Sequence, residues 1–198
     1  MSLYGPVTTC QTCGCTDLQS VIFLAYLPSV NVMRPAGVPA GEERWFPAEM
    51  LRCPICTLVQ LGYTADPSLI FPPEYPYTSG TTRILRENFA TLYRQANALM
   101  HLTPENFIID IGSNDGTLLK NFKDGGHRVL GVEPSLTAKL AEAQGVPTLM
   151  TFFGTEATNT VLKTHGKADL ITAAKLCEGG PPTKQLTFKG NPFLFALD

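Results

Sequence analysis

Basic charge is in short supply in this sequence. Fifteen Lys and Arg face seventeen Asp and Glu, for a formal net charge of -2, so nucleic acid and anionic membranes are denied the basic patch that each needs. Lys and Arg are sparse between Cys10 and Cys56 in particular. Long hydrophobic runs are missing too: the longest, Val21 to Val30, is interrupted by Pro28 and falls short of a membrane span. The first residues, Met1-Ser2-Leu3-Tyr4-Gly5-Pro6, carry neither the basic stretch nor the apolar core of a secretory signal. These absences lead to the expectation of a cytoplasmic protein that binds a small molecule and neither nucleic acid nor membrane. Histidine is equally scarce. His101 and His165 fall at helix ends and His127 beside a Gly-Gly turn, where solvated rings are the ordinary expectation.

What is present is a globular composition, 44% hydrophobic and 16% charged, with two textures along the chain. Residues 1–80 hold 10 of the 16 prolines and five of the six cysteines. From Thr81 the apolar residues Leu85, Phe89, Leu92, Tyr93, Ala96, Leu99 and Met100 recur at steps of three and four, the stripe of an amphipathic helix. Beyond Pro104, short apolar runs alternate with helical segments: Phe107 to Ile111, Leu118 to Phe122, Val129 to Glu133, a helix over about 136–143, and Ala168 to Thr172. Strands and helices in that alternation predict an α/β fold with a parallel, doubly wound sheet. The expected organisation is a small loop-rich domain over 1–75, a connecting helix over 76–104, a partial α/β domain over 105–174 and a divergent tail over 175–198. A sheet of three or four strands leaves an edge and part of its faces open, which favours a homodimer or another chain as cover.

Cysteine spacing supplies the first chemical signal. Cys10-x2-Cys13 and Cys53-x2-Cys56 are two knuckle-like pairs separated by 39 residues. In a reducing compartment such pairs point to a metal instead of a disulfide framework, and four thiolates suit tetrahedral Zn2+ with no position open for a catalytic water. Cys15 is an additional thiol, and Cys177 lies far off in the tail.

A glycine-rich turn supplies the second. Asp110-Ile111-Gly112-Ser113-Asn114-Asp115-Gly116 follows a strand and precedes a helix, the place where an open α/β sheet receives a nucleotide-like ligand. The dinucleotide fingerprint fails, because positions 114 and 117 are Asn and Thr where it requires glycine. Asp115 at the helix N-terminus would also repel a pyrophosphate. S-adenosylmethionine has no phosphate and carries positive charge, so Asp110 and Asp115 are compatible with it. Glu133, 21 positions after Gly112, stands where a carboxylate accepts both ribose hydroxyls.

Taken together, these motifs resemble a known family, the sugar C-methyltransferases that act on nucleoside-diphosphate 4-keto-deoxy sugars and join a zinc-binding domain to a class I methyltransferase domain. The markers are the two CxxC pairs, Cys56-Thr-Leu-Val-Gln60-Leu, Tyr75-Pro-Tyr77-Thr-Ser79-Gly-Thr, Ile111-Gly-Ser-Asn-Asp-Gly116, Val129-Leu-Gly-Val-Glu-Pro134, Phe152-Phe-Gly154 and Ala168 to Thr172. The resemblance implies S-adenosylmethionine as cofactor, with Gly112, Asn114, Gly116 and Glu133 as its contacts and Phe152 and Phe153 near the adenine. It also implies that Tyr75, Tyr77 and Ser79 face the sugar, and a structural Zn2+ on Cys10, Cys13, Cys53 and Cys56.

The implied chemistry requires a general base. The family's histidine-bearing stretch after the fourth strand has no counterpart here, since Ala174 is followed by Lys175-Leu-Cys-Glu178-Gly-Gly. Tyr77 is the fallback base, ahead of Glu178. The reading is therefore a methyltransferase by descent, truncated or frameshifted after about residue 174 and expected to be compromised in activity. The alternative is a non-catalytic zinc-containing binding or dimerisation module.

Overall fold

The computed structural model describes residues 4–29, 31–33, 36–39 and 43–174. The expectations for Lys175 to Asp198, including Cys177 and Glu178, lie outside the described residues. The chain divides between Pro72 and Pro73 into two compact units.

The first unit is β-rich. Strands β1 (Gly5–Pro6), β2 (Gln19–Pro28), β3 (Trp45–Arg52), β4 (Val59–Leu61) and β5 (Tyr63–Thr64) precede the short helix α1 (Pro67–Ile70). The β2, β3 and β4 strands form an antiparallel sheet in that order, and β1 pairs with β5. Asp66 caps α1 by accepting from the Ser68 N–H at 2.9 Å, and Pro67 opens the helix, where its missing N–H costs nothing. Burial is thin here: Cys10, Leu51, Cys53 and Gln60 are buried, whereas nearly all of β2 is exposed.

The second unit is the expected α/β layer structure. A 3-10 turn (Ser79–Thr81) leads into α2 (Arg83–Met100), followed by β6 (Phe107–Ile111), α3 (Thr117–Asp124), β7 (Arg128–Val132), α4 (Ala138–Ala143), β8 (Thr148–Leu149), α5 (Thr155–Thr164) and β9 (Leu170–Thr172). The sheet runs β8-β7-β6-β9 with every pairing parallel. The strand order reverses at β6, so the C-terminal ends of β6 and β9 flank a switch point, with β7 on the other side of β6. The sheet has apolar residues on both faces. Ile108, Val129 and Leu170 join Leu85 and Phe89 of α2 and Leu118, Leu119 and Phe122 of α3 in one cluster. On the opposite side Phe107, Ile109, Ile111, Leu130 and Val132 join Val161 of α5. Each large apolar side chain so buried contributes on the order of 2 kcal/mol.

Two sequence readings shift. The α2 stripe buries Leu85, Phe89 and Ala96, but Leu99, on the margin of that stripe in the last turn, is 69% exposed. His127 is buried instead of solvated: its Nδ1 lies 2.8 Å from the Thr103 carbonyl oxygen, and its ring packs against Tyr93 and Phe122. Among the described residues, no helix is long and apolar enough to cross a membrane.

Candidate functional site

The two cysteine pairs adopt the same local fold. In the first, the Cys10 N–H donates to Cys15 O and the Gly14 N–H to Cys10 O; in the second, the Cys53 N–H donates to Leu58 O and the Thr57 N–H to Cys53 O. The fifth residue of each turn is left-handed, Gly14 at φ 76° and Thr57 at φ 62°. This repeated turn aims both thiols of a pair to one side. The pairs face each other directly, with Cys10 Sγ 3.4 Å from Cys56 Sγ and Cys13 Sγ 3.5 Å from Cys53 Sγ. All four sulfurs lie within 4.8 Å of one another. Tetrahedral zinc with Zn–S bonds of about 2.3 Å places its sulfurs roughly 3.8 Å apart, so the donor set fits the ion in both chemistry and spacing.

Local donors favour thiolate at Cys10 and Cys53, while Cys13 and Cys56, whose thiols bond to those two sulfurs, are pushed up, Cys13 to about 12. The Cys56 N–H aimed at the Cys53 sulfur, helped by the Ile55 N–H, outweighs burial and brings that thiol down to about 6. Gln60 closes the arrangement. Buried on β4, it accepts from the Gln11 N–H at 2.9 Å and donates to Thr9 O at 3.1 Å, holding the first knuckle against the strand that follows the second. Its sequence signal was a position in a motif, with no indication of the bond. Cys15 contributes its carbonyl to the first turn and is not in the four-sulfur cluster.

In the second unit, the glycine-rich turn connects β6 to α3. Gly116, at φ 79°, gives the turn its left-handed exit, and a Cβ there would approach the Ala141 Cβ at 2.9 Å. The Gly112 and Ser113 N–H groups both donate to Val132 O, binding the turn to the end of β7. Glu133, just beyond that strand, is buried. Its Oε2 accepts from the Asn114 N–H at 2.9 Å, and its Oε1 accepts from the N–H and hydroxyl of Ser135 at 2.9 and 2.6 Å. Neither residue type nor spacing signalled this role for Ser135.

Asp115, two residues ahead of α3, caps its first turn. Its Oδ1 accepts from the Thr117 hydroxyl at 2.6 Å and N–H at 3.2 Å. The chain's own carboxylate thus holds the helix N-terminus that a pyrophosphate would need. Asp110 is buried at the end of β6, where the Thr172 hydroxyl donates to it at 2.7 Å. Burial, reinforced by the nearby Glu133 charge, pushes its carboxyl up to about 7 despite that bond.

The remaining candidates distribute as follows. The rings of Tyr75 and Tyr77 meet edge to face at 6.4 Å, and Ser79 is buried while Tyr77 is partly exposed. All three belong to the α/β unit, and the segment that bears them is bonded to the glycine-rich turn: Asn114 donates to Tyr77 O and accepts from the Ser79 N–H. Phe153 packs on the α5 side of the sheet, whereas Phe152 is 46% exposed.

Comparison with known proteins is consistent with both halves of this description. Residues 10–71 match the family described as "Putative zinc binding domain" (Methyltransf_13). The chain is 28% identical over 167 residues, 84% of its length, to the C-methyltransferase NovU of Streptomyces niveus. It spans 40% of the length of that relative. A solved structure, the X-ray structure of YjhP from E. coli, is 21% identical, with the match covering 52% of this chain and 41% of that one at a TM-score of 0.34. The zinc-binding match at the N-terminus and the C-methyltransferase match along most of the chain agree with the motifs: the chain is similar to a zinc-binding domain family in its first part and to a C-methyltransferase over most of its length.

Proposed function

We propose that this protein is a C-methyltransferase module in which the α/β unit holds S-adenosylmethionine, the four-cysteine unit holds a structural Zn2+, and the acceptor is a nucleoside-diphosphate 4-keto-deoxy sugar. The similarity to a C-methyltransferase supports the reaction class. The observation that carries the choice of cofactor is the electrostatics of the turn. Glu133 is a buried carboxylate at the end of the strand beside it, and α3 is capped by Asp115. That combination suits a ribose diol on a cationic ligand and disfavours a dinucleotide.

In this reading Gly112 and Gly116 shape the turn, Glu133 accepts from the ribose hydroxyls, Asp110 supports the cationic end, and Phe152 and Phe153 border the adenine. S-adenosylmethionine, when bound, supplies an electrophilic methyl group on sulfur. With that group held by the turn, the part left to the chain would be a base that takes a proton from the sugar carbon next to the C4 ketone and so readies that carbon to receive the methyl. Tyr77, partly exposed on the segment held by Asn114, is the candidate base among the described residues. The four thiols suit a reducing, cytoplasmic setting, and a second copy of the chain is the candidate cover for the open sheet edges.

The deciding experiment is calorimetric titration of zinc-loaded protein with S-adenosylhomocysteine, beside the Glu133→Gln variant. Saturable binding is expected, about tenfold or more weaker in the variant, with zinc content unchanged. Equal affinity in the two proteins removes Glu133 from the ribose, and absence of binding by the folded wild type sinks the cofactor assignment. The exposed apolar β2 strand favours a second reading, a zinc-containing interaction module; turnover of a 4-keto sugar nucleotide would reject it.

A further inference from the structure

The glycine-rich turn holds more than its own helix. Asn114, 8% exposed and left-handed at φ 52°, uses both ends of its side-chain amide on one segment. Its Oδ1 accepts from the Ser79 N–H at 2.8 Å and its Nδ2 donates to Tyr77 O at 3.0 Å. Asp115 adds a third bond, its Oδ2 accepting from the Gly80 N–H at 2.7 Å. Arg86 on α2 donates to Gly80 O. Three residues of the tyrosine-bearing segment, Tyr77, Ser79 and Gly80, are thus gripped by two successive residues of the turn. The approach is close enough that a Cβ on Gly80 would meet Thr117 Oγ1 at 2.8 Å and Asp115 Oδ2 at 2.9 Å.

Chemistry makes the residue choice specific. A carboxylate at position 114 could accept from Ser79 but could not donate to Tyr77 O, and an apolar side chain could do neither. Asparagine also tolerates the left-handed backbone that the turn imposes there. Its own N–H, meanwhile, donates to Glu133 Oε2, so the carboxylate proposed to receive the ribose and the segment proposed to face the sugar share one intermediary.

We propose that Asn114 is a positioning residue that docks the Tyr75-to-Gly80 segment on the glycine-rich turn, so that a ligand filling the turn orders the acceptor-facing segment through it. The inference rests on the functional reading for the names of the two ligands, and its mechanical content stands on the bonds alone. Because such coupling is reciprocal, an acceptor held by the segment tightens the cofactor by the same factor.

Amide exchange followed by NMR in the intact, zinc-loaded protein tests this. Two variants remove the dock from opposite sides. Asn114→Gly keeps the left-handed turn and deletes the amide, and Gly80→Ala leaves the turn residues untouched and displaces the segment. Both are expected to lower protection of the Ser79 and Gly80 amides by about tenfold or more while β6 and β7 amides keep theirs. In Asn114→Asp, Ser79 keeps its acceptor and its protection. Saturating S-adenosylhomocysteine is expected to raise Ser79 and Gly80 protection in the wild type by about fivefold or more, and to leave it unchanged in Asn114→Gly. Unaltered exchange at Ser79 and Gly80 in both deletion variants overturns the proposal. So does a ligand effect of equal size in wild type and Asn114→Gly, and so does loss of S-adenosylhomocysteine affinity in Asn114→Gly without change at Ser79, which would make Asn114 a cofactor contact. A wild type that binds no S-adenosylhomocysteine refutes the cofactor reading, and the exchange comparison in free protein still decides the dock.

Discussion

Single residues in this protein serve its turns and its charge balance more than its bulk. Asp110 holds a carboxyl raised from 3.8 to about 7 by burial. A group whose folded pKa is raised contributes stability that is fully present below its unfolded value and is lost as pH climbs through the folded one. The α/β unit is therefore expected to lose stability between about pH 4 and pH 7 on this account, by an amount that the gap bounds at roughly 4 kcal/mol. Asp110→Asn removes the charge and should flatten that part of the stability profile in urea unfolding; an unchanged profile would assign the slope to other groups. Thr57 is a residue of a different kind, β-branched at φ 62° where its counterpart in the other knuckle is glycine. Left-handed backbone costs such a residue about 1–2 kcal/mol, partly offset by the entropy glycine loses on folding. Thr57→Gly should accordingly raise the unfolding midpoint of the zinc-loaded protein by about 0.5–1 kcal/mol equivalent, and a lowered midpoint would show that the Thr57 side chain has a packing role that outweighs its strain.

At the scale of elements, periodicity was enough to find most of the second unit. The apolar runs at Phe107 to Ile111 and Val129 to Val132 became adjacent parallel strands, and the glycines after Asp124 and Ala143 ended their helices. The sheet buries both faces, so its strands read as continuous apolar stretches. The first unit was less legible. Its strands bury little, β2 nearly nothing, and without a buried face there is no alternation to read. The four cysteines carry the order instead. Each knuckle is a turn closed by backbone bonds onto its first cysteine, and binding of metal is folding energy for such an element. Cys53→Ser is expected to release zinc and to abolish exchange protection at the Gly14 and Thr57 amides, which bond to Cys10 O and Cys53 O. Retention of full metal content in that variant would remove the four-thiolate assignment.

Across the whole molecule, the apolar surface is unevenly spent. The α/β unit has two buried clusters, one on each face of its sheet, while Val21, Ile22, Phe23, Leu24, Tyr26 and Leu27 of β2 are each 45–59% exposed. β2 is also an edge strand, and from Gln19 to Pro28 it carries no charge. Edges of that composition pair with other chains unless something guards them. Concentration-dependent self-association is the expected behaviour, and Leu24→Lys should reduce it in light scattering without altering zinc content. Scattering that does not depend on that residue would locate the association elsewhere.

What the sequence determined by itself was whatever depends on residue type and spacing: the two cysteine pairs with their preference for zinc, the strand-turn-helix with its failed dinucleotide fingerprint, and the acidic residue at the end of the next strand. These are local or periodic signals, and each survives in any fold that keeps the chain order. Tertiary structure decided how those signals meet. Only the folded chain brings Cys10 beside Cys56, sets Gln60 across to Thr9 and Gln11, buries His127, and gives both ends of the Asn114 side chain to Tyr77 and Ser79. Those contacts join residues some 24 to 51 positions apart, and no propensity or period encodes a partner at such separation, because the hydrogen bond is chosen by the packing that brings its two ends together.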